Sequence, residues 1–571
     1  MKRIKTIFTK WQIYFVFGLV VAVVLFGVWN ISADGRIHRH GFCADMAFEH
    51  VYAISQEPRS VYDKDAIDAT RQYIMSTLTG FNVENFMVEH TPVGVPVNNI
   101  YARIAGSSGT YVLLMAHYDS HPWSNSTGVG DNGYAVATLL EIAGIFSKRA
   151  LETPLVNGIK FVFTDAEEIG LFGAIRLVEE RKIVTEHNSD WILDNVNLVV
   201  NVEGRGIRGP LFMFETSANN RSVVNFYARA GRPFGFSFAA EIYRILPMNT
   251  ELGIFLNAGF NGINLSVLDS VEYYHTDYDN LDNISMRALQ NYGNTLVPLM
   301  IEYTTRSKYS GINAFDSSVD SVFFTLLPNI FVRYSSIFSW ILIGLLFIGL
   351  IFILILIKNK VKISRIIFSI IIWLLLVGVS AGLGFLTTTL LAIASGADFS
   401  IASIMSFIAF DRGALILTSI FIYVLAFLMM LLKSKVFKIN MEEMKFGGIF
   451  VNIMLLVVSA FLLHGATFLF LWPALLAILG LFSKLIKRKN IGKYLSIGLN
   501  SLMVIFAASL CITISYSLFV GMTISVLTII LALTATSLTI VVPTICDIIK
   551  NIWENPLKKC TQNTLDKKIV I

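Results

Sequence analysis

The chain has 571 residues, of which 54% are hydrophobic and 15% charged, and its formal net charge is +5. Soluble globular domains contain about a quarter charged residues, so this composition excludes a protein that is soluble throughout. The positive charges lie in short Lys/Arg clusters between apolar segments, and there is no basic stripe with interleaved aromatic residues. We therefore expect a membrane protein that does not bind nucleic acid.

The N-terminus predicts a membrane anchor. Residues 12–31 form an apolar run that follows the basic side chains of residues 2, 3, 5 and 10, and about 20 apolar residues cross a bilayer core of about 30 Å. A cleaved signal peptide would have a shorter apolar core and a small-residue cleavage site, which the sequence ISADG fits poorly. The pattern favours a cytoplasmic N-terminus at 1–11 and a signal-anchor helix at 12–31.

The segment 32–330 has ordinary mixed composition and enough length for one large domain. Apolar runs predict strands at 98–105, 111–117, 158–164, 196–203, 210–215 and 262–268. Helical spacing of apolar residues predicts helices at 63–80, 131–149, 169–181, 217–231 and 285–303. Alternating strands and helices predict an α/β sheet that is covered on both faces. The segment contains one cysteine, Cys43, which excludes a disulfide framework and a cysteine-based metal site.

The segment 331–546 predicts a membrane domain of about seven helices. The spans are expected near 337–357, 365–391, 413–432, 447–465, 467–485, 493–514 and 518–545. With the anchor they make eight, or nine if 392–412 also crosses. The loops 358–365, 433–438 and 484–493 and the tail 547–571 are basic, which predicts a cytoplasmic location for them and an extracytoplasmic one for 32–330.

Two candidate metal ligands lie between Met115 and Gly133. His117 ends an apolar run and is followed by Asp119, and a metal-bound imidazole usually donates its other N–H to a carboxylate. Asp131 follows a Gly-rich loop and could bridge two cations through its two oxygens. Taken singly, these positions favour a structural histidine and a helix N-cap.

Three later motifs supply further candidates. In FVFTDAEEIG, the adjacent Glu167 and Glu168 would repel each other unless a cation lay beside them or one were protonated, and their apolar flanks offer no solvated face. Glu203 ends an apolar strand, where the alternative is an ion pair with Arg205. His275 lies in VEYYHTDYDN, where the alternative is a loop histidine. Zn²⁺ accepts these carboxylate and imidazole ligands.

In their joint order the motifs HYDS, GDNG, DAEE, NVEG and YYHT resemble the zinc aminopeptidase family M28, over roughly residues 40 to 310. Soluble members of this family have an α/β fold with a mixed β-sheet covered by helices, and they bind two zinc ions. The segments 258–293 and 464–473 are similar to the membrane-embedded branch of endoplasmic reticulum metallopeptidases and vacuolar membrane proteases. That branch combines an anchor, a protease domain and a polytopic α-helical membrane domain.

The resemblance implies two Zn²⁺ per chain and a ligand set. Asp131 would bridge the two zincs. His117 and Glu203 would be terminal ligands of different zincs, Glu168 would bind either of them, and His275 would complete the set.

The resemblance also implies catalytic roles. Glu167 would be the general base, Asp119 would orient His117, and Tyr274 is a candidate for steadying the oxyanion of the substrate. The membrane branch usually carries an acidic triplet for which this chain has MNTE at 248–251.

Together these features predict a membrane-anchored, zinc-dependent exopeptidase that acts on peptide substrates, and an aminopeptidase is favoured. Two alternatives stay open, a glutaminyl-cyclase-like transferase with one zinc and a transporter or receptor whose outer domain only binds peptides. Compact loops and a short tail favour a bacterial plasma membrane over a vacuolar or endoplasmic reticulum membrane. The sequence predicts no oligomeric state.

Overall fold

The computed structural model describes residues 18–19, 21–29, 31–36, 40–180, 192–245, 250–357, 361–396, 398, 400, 412–435, 438–486 and 488–553. The chain divides into two compact units, residues 31–337 and the remainder. The predicted cytoplasmic N-terminus at 1–11 and most of the tail at 547–571 lie outside the described residues, as does 401–411 of the uncertain ninth span.

Unit 31–337 is built on a seven-stranded sheet. Its strands are β1 (Glu84–His90), β2 (Val97–Ile104), β3 (Tyr111–His117), β4 (Gly158–Thr164), β5 (Val196–Gly204), β6 (Phe212–Thr216) and β7 (Gly262–Val267). The order is β1-β2-β4-β3-β5-β7-β6. The central strands β4, β3, β5 and β7 are parallel, and the outer pairings are antiparallel. This mixed sheet confirms the predicted fold class.

Eight helices in the described part of this unit surround the sheet. They are α1 (Ala44–Ile54), α2 (Lys64–Gly80), α3 (Tyr134–Glu152), α4 (Phe172–Glu179), α5 (Arg221–Tyr227), α6 (Ser237–Ile245), α7 (Glu251–Asn257) and α8 (Met286–Thr305). Alternate residues of β3 enter different cores: Val112 and Leu114 pack in the cluster that contains α3, whereas Leu113 and Met115 pack in the cluster that contains α4 and α7. Both faces of the sheet are therefore covered, as a continuously apolar parallel strand requires.

Helices α1, α6 and α7 and three strands of this unit were not predicted from the sequence. Strand β1 lies at the sheet edge, and most of its side chains are exposed or half-buried, so it lacks an apolar pattern. Strands β8 (Ser321–Leu327) and β9 (Ile330–Ser335) form an antiparallel hairpin across the predicted boundary at residue 330.

The second unit is helical in its described residues. Residues 18–19, 21–29 and 31 of the predicted anchor are helical. The later helices are α9 (Ser336–Ile357), α10 (Ile363–Ala394), α11 (Arg412–Lys435), α12 (Met441–Leu462), α13 (Phe468–Ser483), α14 (Lys489–Met522) and α15 (Leu527–Trp553). Helix α14 continues through the predicted loop at 515–517.

Four described helical stretches are long and apolar enough to cross a membrane: Ser336–Leu356, Ile363–Ala394, Met441–Leu462 and Asn490–Lys550. The last of these contains α14 and most of α15. Two shorter apolar helices, Arg412–Ala426 and Phe468–Ser483, add to them. The presence of several candidate spans is thus confirmed, and their number and orientation stay predictions.

The parallel strands position the candidate ligands. In parallel strands the carboxyl ends share one edge of the sheet, which is where ligands of α/β proteins gather. His117 is the last residue of β3, the segment from Asp165 follows β4, and Glu203 is the penultimate residue of β5. Since β4, β3 and β5 are neighbours, three separate motifs meet at this edge.

Candidate metal centre

His117 is buried and is held in one orientation. Its Nδ1 lies 3.1 Å from the Asp119 carbonyl oxygen and 3.4 Å from Asp119 Oδ1. The carboxylate of Asp119 also accepts the backbone N–H groups of Glu167 and Glu168, each at 3.2 Å. Asp119 therefore joins the histidine after β3 to the glutamate pair after β4, and it leaves Nε2 of His117 directed at Asp131, 3.1 Å from Oδ1.

The Asp131 carboxylate lies between two pairs of side chains. On one side, His117 Nε2 is 3.1 Å from Asp131 Oδ1 and 3.9 Å from Glu203 Oε2. On the other side, His275 Nε2 is 3.3 Å from Asp131 Oδ2 and 3.0 Å from Glu168 Oε2. The structure thus brings all five predicted ligands into one cluster with Asp131 at its centre.

The loop that carries Asp131 is fixed by Asp279, a residue that sequence reasoning did not select. The buried Asp279 carboxylate accepts hydrogen bonds from Gly130 N at 2.6 Å, Asp131 N at 3.2 Å and Ser126 Oγ at 3.1 Å. The loop also presses against the end of β5, where a Cβ on Gly204 would lie 2.1 Å from the Gly130 oxygen. Only glycine fits at that position, so the GRG after Glu203 is part of the site.

The buried Arg59 binds backbone oxygens at both ends of the loop that leads to Asp131. Arg59 is fully buried and donates from Nε to the Tyr118 oxygen at 2.8 Å, from Nη1 to Ser55 Oγ at 3.2 Å and to the Thr127 oxygen, and from Nη2 to the Gly128 oxygen at 2.9 Å. Burial lowers the pKa of Arg59 to about 10, so it remains a cation at neutral pH beneath the acidic cluster. Its bonds tie both ends of the 118–128 loop together.

A second ion pair fixes the backbone that presents the glutamate pair. The Asp165 Oδ2 atom lies 2.6 Å from Arg71 Nη2 and accepts Asn98 N at 2.8 Å. The chain turns directly after the buried Asp165, and this turn places Glu168 in the cluster beside His275. Arg59 therefore fixes the 118–128 loop, and Arg71 fixes the backbone before the glutamate pair.

The electrostatics of the cluster call for a cation. Burial raises the pKa of Glu168 well above its usual range, and Asp131 adds to this; burial likewise raises the pKa of Glu203 to about 6. Burial also acts to raise the pKa of Asp131, but the neighbouring imidazoles of His117 and His275 hold it well below its usual range. Several buried carboxylates are costly unless protons or a metal neutralise them.

Several buried polar atoms of the cluster lack satisfactory hydrogen bonds, which also favours a bound cation. Asp131 Oδ2, Glu168 Oε1 and His275 Nε2 are buried and make no well-directed hydrogen bond, although His275 Nε2 lies within 3.3 Å of carboxylate oxygens. A buried polar atom without a satisfactory partner costs about 1–3 kcal/mol. Carboxylate oxygens and imidazole nitrogens are ordinary ligands of Zn²⁺. The residues present therefore fit a zinc centre.

Aromatic rings enclose the His275 side of the cluster. The Tyr274 ring stacks on His275 with centroids 3.7 Å apart and an interplanar angle of 19°. The Arg205 guanidinium carbon lies 5.2 Å from the centroid of the Tyr274 ring. On its other face His275 stacks with His121, which sequence reasoning also missed.

Glu251 is a further buried acid that the sequence did not assign to the site. It is fully buried, both of its carboxylate oxygens lack a hydrogen bond, and burial together with Glu203 raises its pKa to about 8. It is the last residue of MNTE; Met248 and Asn249 lie outside the described residues. The one sequence feature that could have indicated Glu251 is that it is the acidic residue of MNTE, where the membrane branch usually has an acidic triplet.

Comparison with protein families identifies the segment that carries this cluster. Residues 99–300 match peptidase family M28. The chain is 24% identical over 319 residues to endoplasmic reticulum metallopeptidase 1 of Rattus norvegicus, covering 51% of this chain and 34% of the relative. It is 28% identical over 246 residues to a vacuolar membrane protease of Candida dubliniensis, covering 40% and 25%. These matches confirm the resemblance to the membrane-embedded branch.

A third relative, the putative endoplasmic reticulum metallopeptidase 1 of Schizosaccharomyces pombe, is 30% identical over 255 residues, covering 43% of this chain and 29% of the relative. The matched part thus spans about a third or less of these relatives' own length. All three names refer to eukaryotic internal membranes, so they give no support to the expected bacterial plasma membrane.

Solved structures with a related fold include two kinds of enzyme. The glutaminyl cyclase of Macrostomum lignano aligns with a TM-score of 0.38 and 18% identity over 47% of this chain and 92% of that one. The LapA aminopeptidase of Legionella pneumophila aligns with a TM-score of 0.35 and 17% identity over 46% and 72%. At these identities and scores the likenesses say nothing about activity.

Proposed function

We propose that the M28 metallopeptidase domain of this chain is a zinc-dependent exopeptidase, and that it acts as an aminopeptidase on peptide N-termini. The observation that carries the proposal is the Asp131 carboxylate, which has an imidazole beside each of its oxygens: His117 Nε2 lies 3.1 Å from Oδ1 and His275 Nε2 lies 3.3 Å from Oδ2. Each imidazole has a second carboxylate near it, Glu203 at 3.9 Å from His117 and Glu168 at 3.0 Å from His275. Such an arrangement suits two divalent cations that share one bridging carboxylate. A glutaminyl-cyclase-like site with a single zinc would need only three of these five ligands.

The proposed ligand sets differ from the sequence expectation in one respect. His117, Asp131 Oδ1 and Glu203 would hold one zinc, and Asp131 Oδ2, Glu168 and His275 would hold the other. This pairing replaces the expectation that His117 and Glu203 bind different zincs, because His117 Nε2 and Glu203 Oε2 are only 3.9 Å apart on the same side of Asp131. Ligand atoms about 2.0–2.2 Å from one zinc lie at separations of this order.

The residues of the chain then have distinct tasks in hydrolysis. Zinc bound here would lower the pKa of a water molecule and polarise the scissile carbonyl. Glu167, whose backbone Asp119 holds, takes a proton from the attacking water and delivers it to the leaving amine as the C–N bond breaks. Tyr274, stacked on His275, is our candidate for stabilising the charge that develops on the carbonyl oxygen.

The excess of carboxylates favours a substrate with a free α-amino group. Glu203 and Glu251 both raise the pKa of Glu167, and Glu203 raises that of Glu251. An ammonium group beside these carboxyl groups would favour their charged forms and be attracted by them. An N-acetylated peptide lacks that charge. A free N-terminus is therefore the substrate feature that these carboxyl groups favour.

A peptide panel tests the proposed activity. Purified full-length protein should hydrolyse peptides with a free N-terminus about 100-fold or more faster than the same peptides carrying an N-acetyl group. A chelator should abolish this hydrolysis and added zinc should restore it. Conversion of N-terminal glutaminyl peptides to pyroglutamyl products without hydrolysis would instead favour the cyclase alternative, and peptide binding without turnover would favour the receptor or transporter alternative.

The proposal includes the membrane arrangement. Residues 32–330 would face outside the cytoplasm, anchored by the 12–31 helix and followed by the membrane domain 331–546, because the loops between the later spans are basic. Protease added to sealed vesicles of native orientation should therefore cleave the 32–330 domain. Protection of this domain together with cleavage of the tail would invert the proposed topology.

A further inference from the structure

We propose that three exposed aromatic side chains, Tyr62, Trp123 and Tyr278, receive the side chain of the second residue of a peptide substrate, the residue that follows the scissile bond. We call these three residues the aromatic rim. The inference rests on the proposed aminopeptidase function. It adds a substrate class, peptides whose second residue is aromatic or large and apolar.

The first observation is how few aromatic rings are exposed. In the described part of unit 31–337, four Phe, Tyr or Trp side chains are about half exposed or more: Tyr52 at 51%, Tyr62 at 59%, Trp123 at 72% and Tyr278 at 58%. Trp123 is the most exposed of them. Single exposed apolar residues are common on protein surfaces, so the positions of these rings decide whether they have a role.

The segment that carries Tyr62 is bound to the loop that carries Trp123. The Arg59 N–H donates to Ser120 Oγ at 2.9 Å, and the Ser120 N–H donates to the Arg59 oxygen at 3.3 Å. Tyr62 comes three residues after Arg59, and Trp123 comes three residues after Ser120. Three residues span at most about 10 Å, so both rings belong to the neighbourhood of this pair of hydrogen bonds.

The segment that carries Tyr278 is bound to the later part of the same loop. The Asp279 carbonyl oxygen accepts the Thr127 N–H at 3.2 Å, and Asp279 Oδ2 accepts Ser126 Oγ at 3.1 Å. The Tyr278 ring stacks on that of Tyr273, with centroids 5.7 Å apart and an interplanar angle of 24°. Three of the four exposed aromatic residues therefore lie on segments that are hydrogen-bonded to one another.

A row of rings connects Trp123 with the proposed metal centre. The indole lies edge-on to the His121 ring, with centroids 5.4 Å apart and an interplanar angle of 80°. His121 stacks on His275 at 3.8 Å, and His275 Nε2 lies 3.3 Å from Asp131 Oδ2. The exposed indole is thus separated from the His275 side of the cluster by a single imidazole.

The two sides of the cluster give the substrate a direction. Glu203, one of the carboxyl groups that favour the substrate's ammonium group, lies 3.9 Å from His117, on the opposite side of Asp131 from His275. With the scissile carbonyl beside the proposed base Glu167, the first residue of the peptide extends toward Glu203. The second residue then extends toward the His275 side, where the aromatic rim lies.

The chemistry of the rim selects the second side chain. An aromatic or large apolar side chain would bury its own surface and that of the exposed rings, and aromatic pairs gain further from edge-to-face or offset stacking. Glycine at the same position buries almost nothing. A hydrophobic contact of this size changes kcat/KM by a factor on the order of 10.

A series of tetrapeptides tests the proposal. The peptides have the form Ala-X-Ala-Ala, with Phe, Leu or Gly as X, and kcat/KM for release of the first residue is measured with zinc-loaded full-length protein. The wild type should favour Phe over Gly by about 10-fold. This ratio should fall to about 2 in Trp123→Ala and stay near the wild-type ratio in Trp123→Phe, which keeps an aromatic ring.

Further variants separate the rim from exposed aromatic residues in general. Tyr62→Ala and Tyr278→Ala should each lower the Phe-to-Gly ratio by about 2–3-fold. Tyr52→Ala is the matched control for Tyr62→Ala, because Tyr52 is a tyrosine of similar exposure on helix α1, with its ring 6.0 Å from that of Phe48. It should leave the ratio unchanged. Trp123→Glu should instead favour a peptide with Lys as X, since opposite charges attract.

A second series, X-Ala-Ala-Ala, varies the first residue and tests the direction of the substrate. Trp123→Ala should leave the preferences in this series as they are in the wild type. Zinc content and melting temperature confirm that each variant is folded and loaded. A folded Trp123→Ala that keeps the wild-type Phe-to-Gly ratio at the second residue, or that changes only the first-residue series, would overturn the inference while the proposed function stands. A wild type that hydrolyses none of these peptides would overturn both.

Discussion

Replacing Glu167 by Gln should lower kcat by about three orders of magnitude and leave the bound zinc unchanged. General acid–base catalysis by a positioned side chain contributes about 10²–10⁴-fold to rate, and Gln has nearly the shape of Glu but cannot accept the proton. The backbone N–H of residue 167 would still bind Asp119, so the support of the metal site would persist. Peptide hydrolysis rates and zinc analysis of the same preparation measure the two effects.

Glu168→Gln is the matched variant. It removes the same charge one residue later, but here the carboxylate lies 3.0 Å from His275 Nε2, within the proposed ligand set. We expect this variant to lose zinc as well as activity. If the two variants kept equal zinc and equal activity, the assignment of base and ligand would be incorrect.

Replacing Asp131 by Ala should release both zincs together. The Asp131 carboxylate has one oxygen toward each side of the cluster, and it offsets the repulsion between two cations about 3.5–4 Å apart. His117→Ala removes a ligand from one side only, so it should weaken one position and leave zinc at the other. Zinc analysis after identical dialysis distinguishes the two outcomes.

His275→Ala serves as the reciprocal control, because it belongs to the other side of the cluster. It should spare the position that His117→Ala damages. An Asp131→Ala protein that keeps as much zinc as His117→Ala would contradict the bridging role. The zinc stoichiometry of the wild type, measured alongside, fixes the reference for all three variants.

The sequence predicted the central sheet because its strands are almost uninterrupted apolar runs. β4 and β5 are buried along their whole length and β3 from its second residue, and the polar residue at the end of each apolar run marks where the strand meets the site. Edge strand β1 escaped prediction because the sheet leaves one side of it exposed, so its sequence is as polar as that of a loop.

Four of the five predicted ligands could be selected because each stands at or just after a strand end or after a Gly-rich loop, and His275 because it lies in an aromatic and acidic motif. The residues that position them could not be selected in this way. Arg59 contacts carbonyl oxygens about 60 or more positions later, and Asp279 reaches back about 150 positions to Gly130. Such contacts have no local pattern, since they depend on how the loops cross in the folded domain.

His121 illustrates a different limit of the sequence. Four residues after His117, it stands between Ser120 and Pro122 in a polar loop, where a histidine carries no periodic signal. Its stacking on His275, which is more than 150 positions later, becomes visible only when the two loops meet. A motif order contains no distances, so the proposed assignment of ligands to each zinc likewise rests on the folded structure and not on the sequence.

The central claim is that two zincs held around Asp131 make this chain a peptidase. Its most direct test is to strip the full-length protein of metal, to add zinc stepwise, and to follow hydrolysis of a peptide with a free N-terminus. The account predicts that activity rises to its maximum at two zincs per chain and that Glu167→Gln binds the same two without regaining activity. Full activity at one zinc per chain, or two bound zincs without hydrolysis of any peptide in the panel, would contradict it.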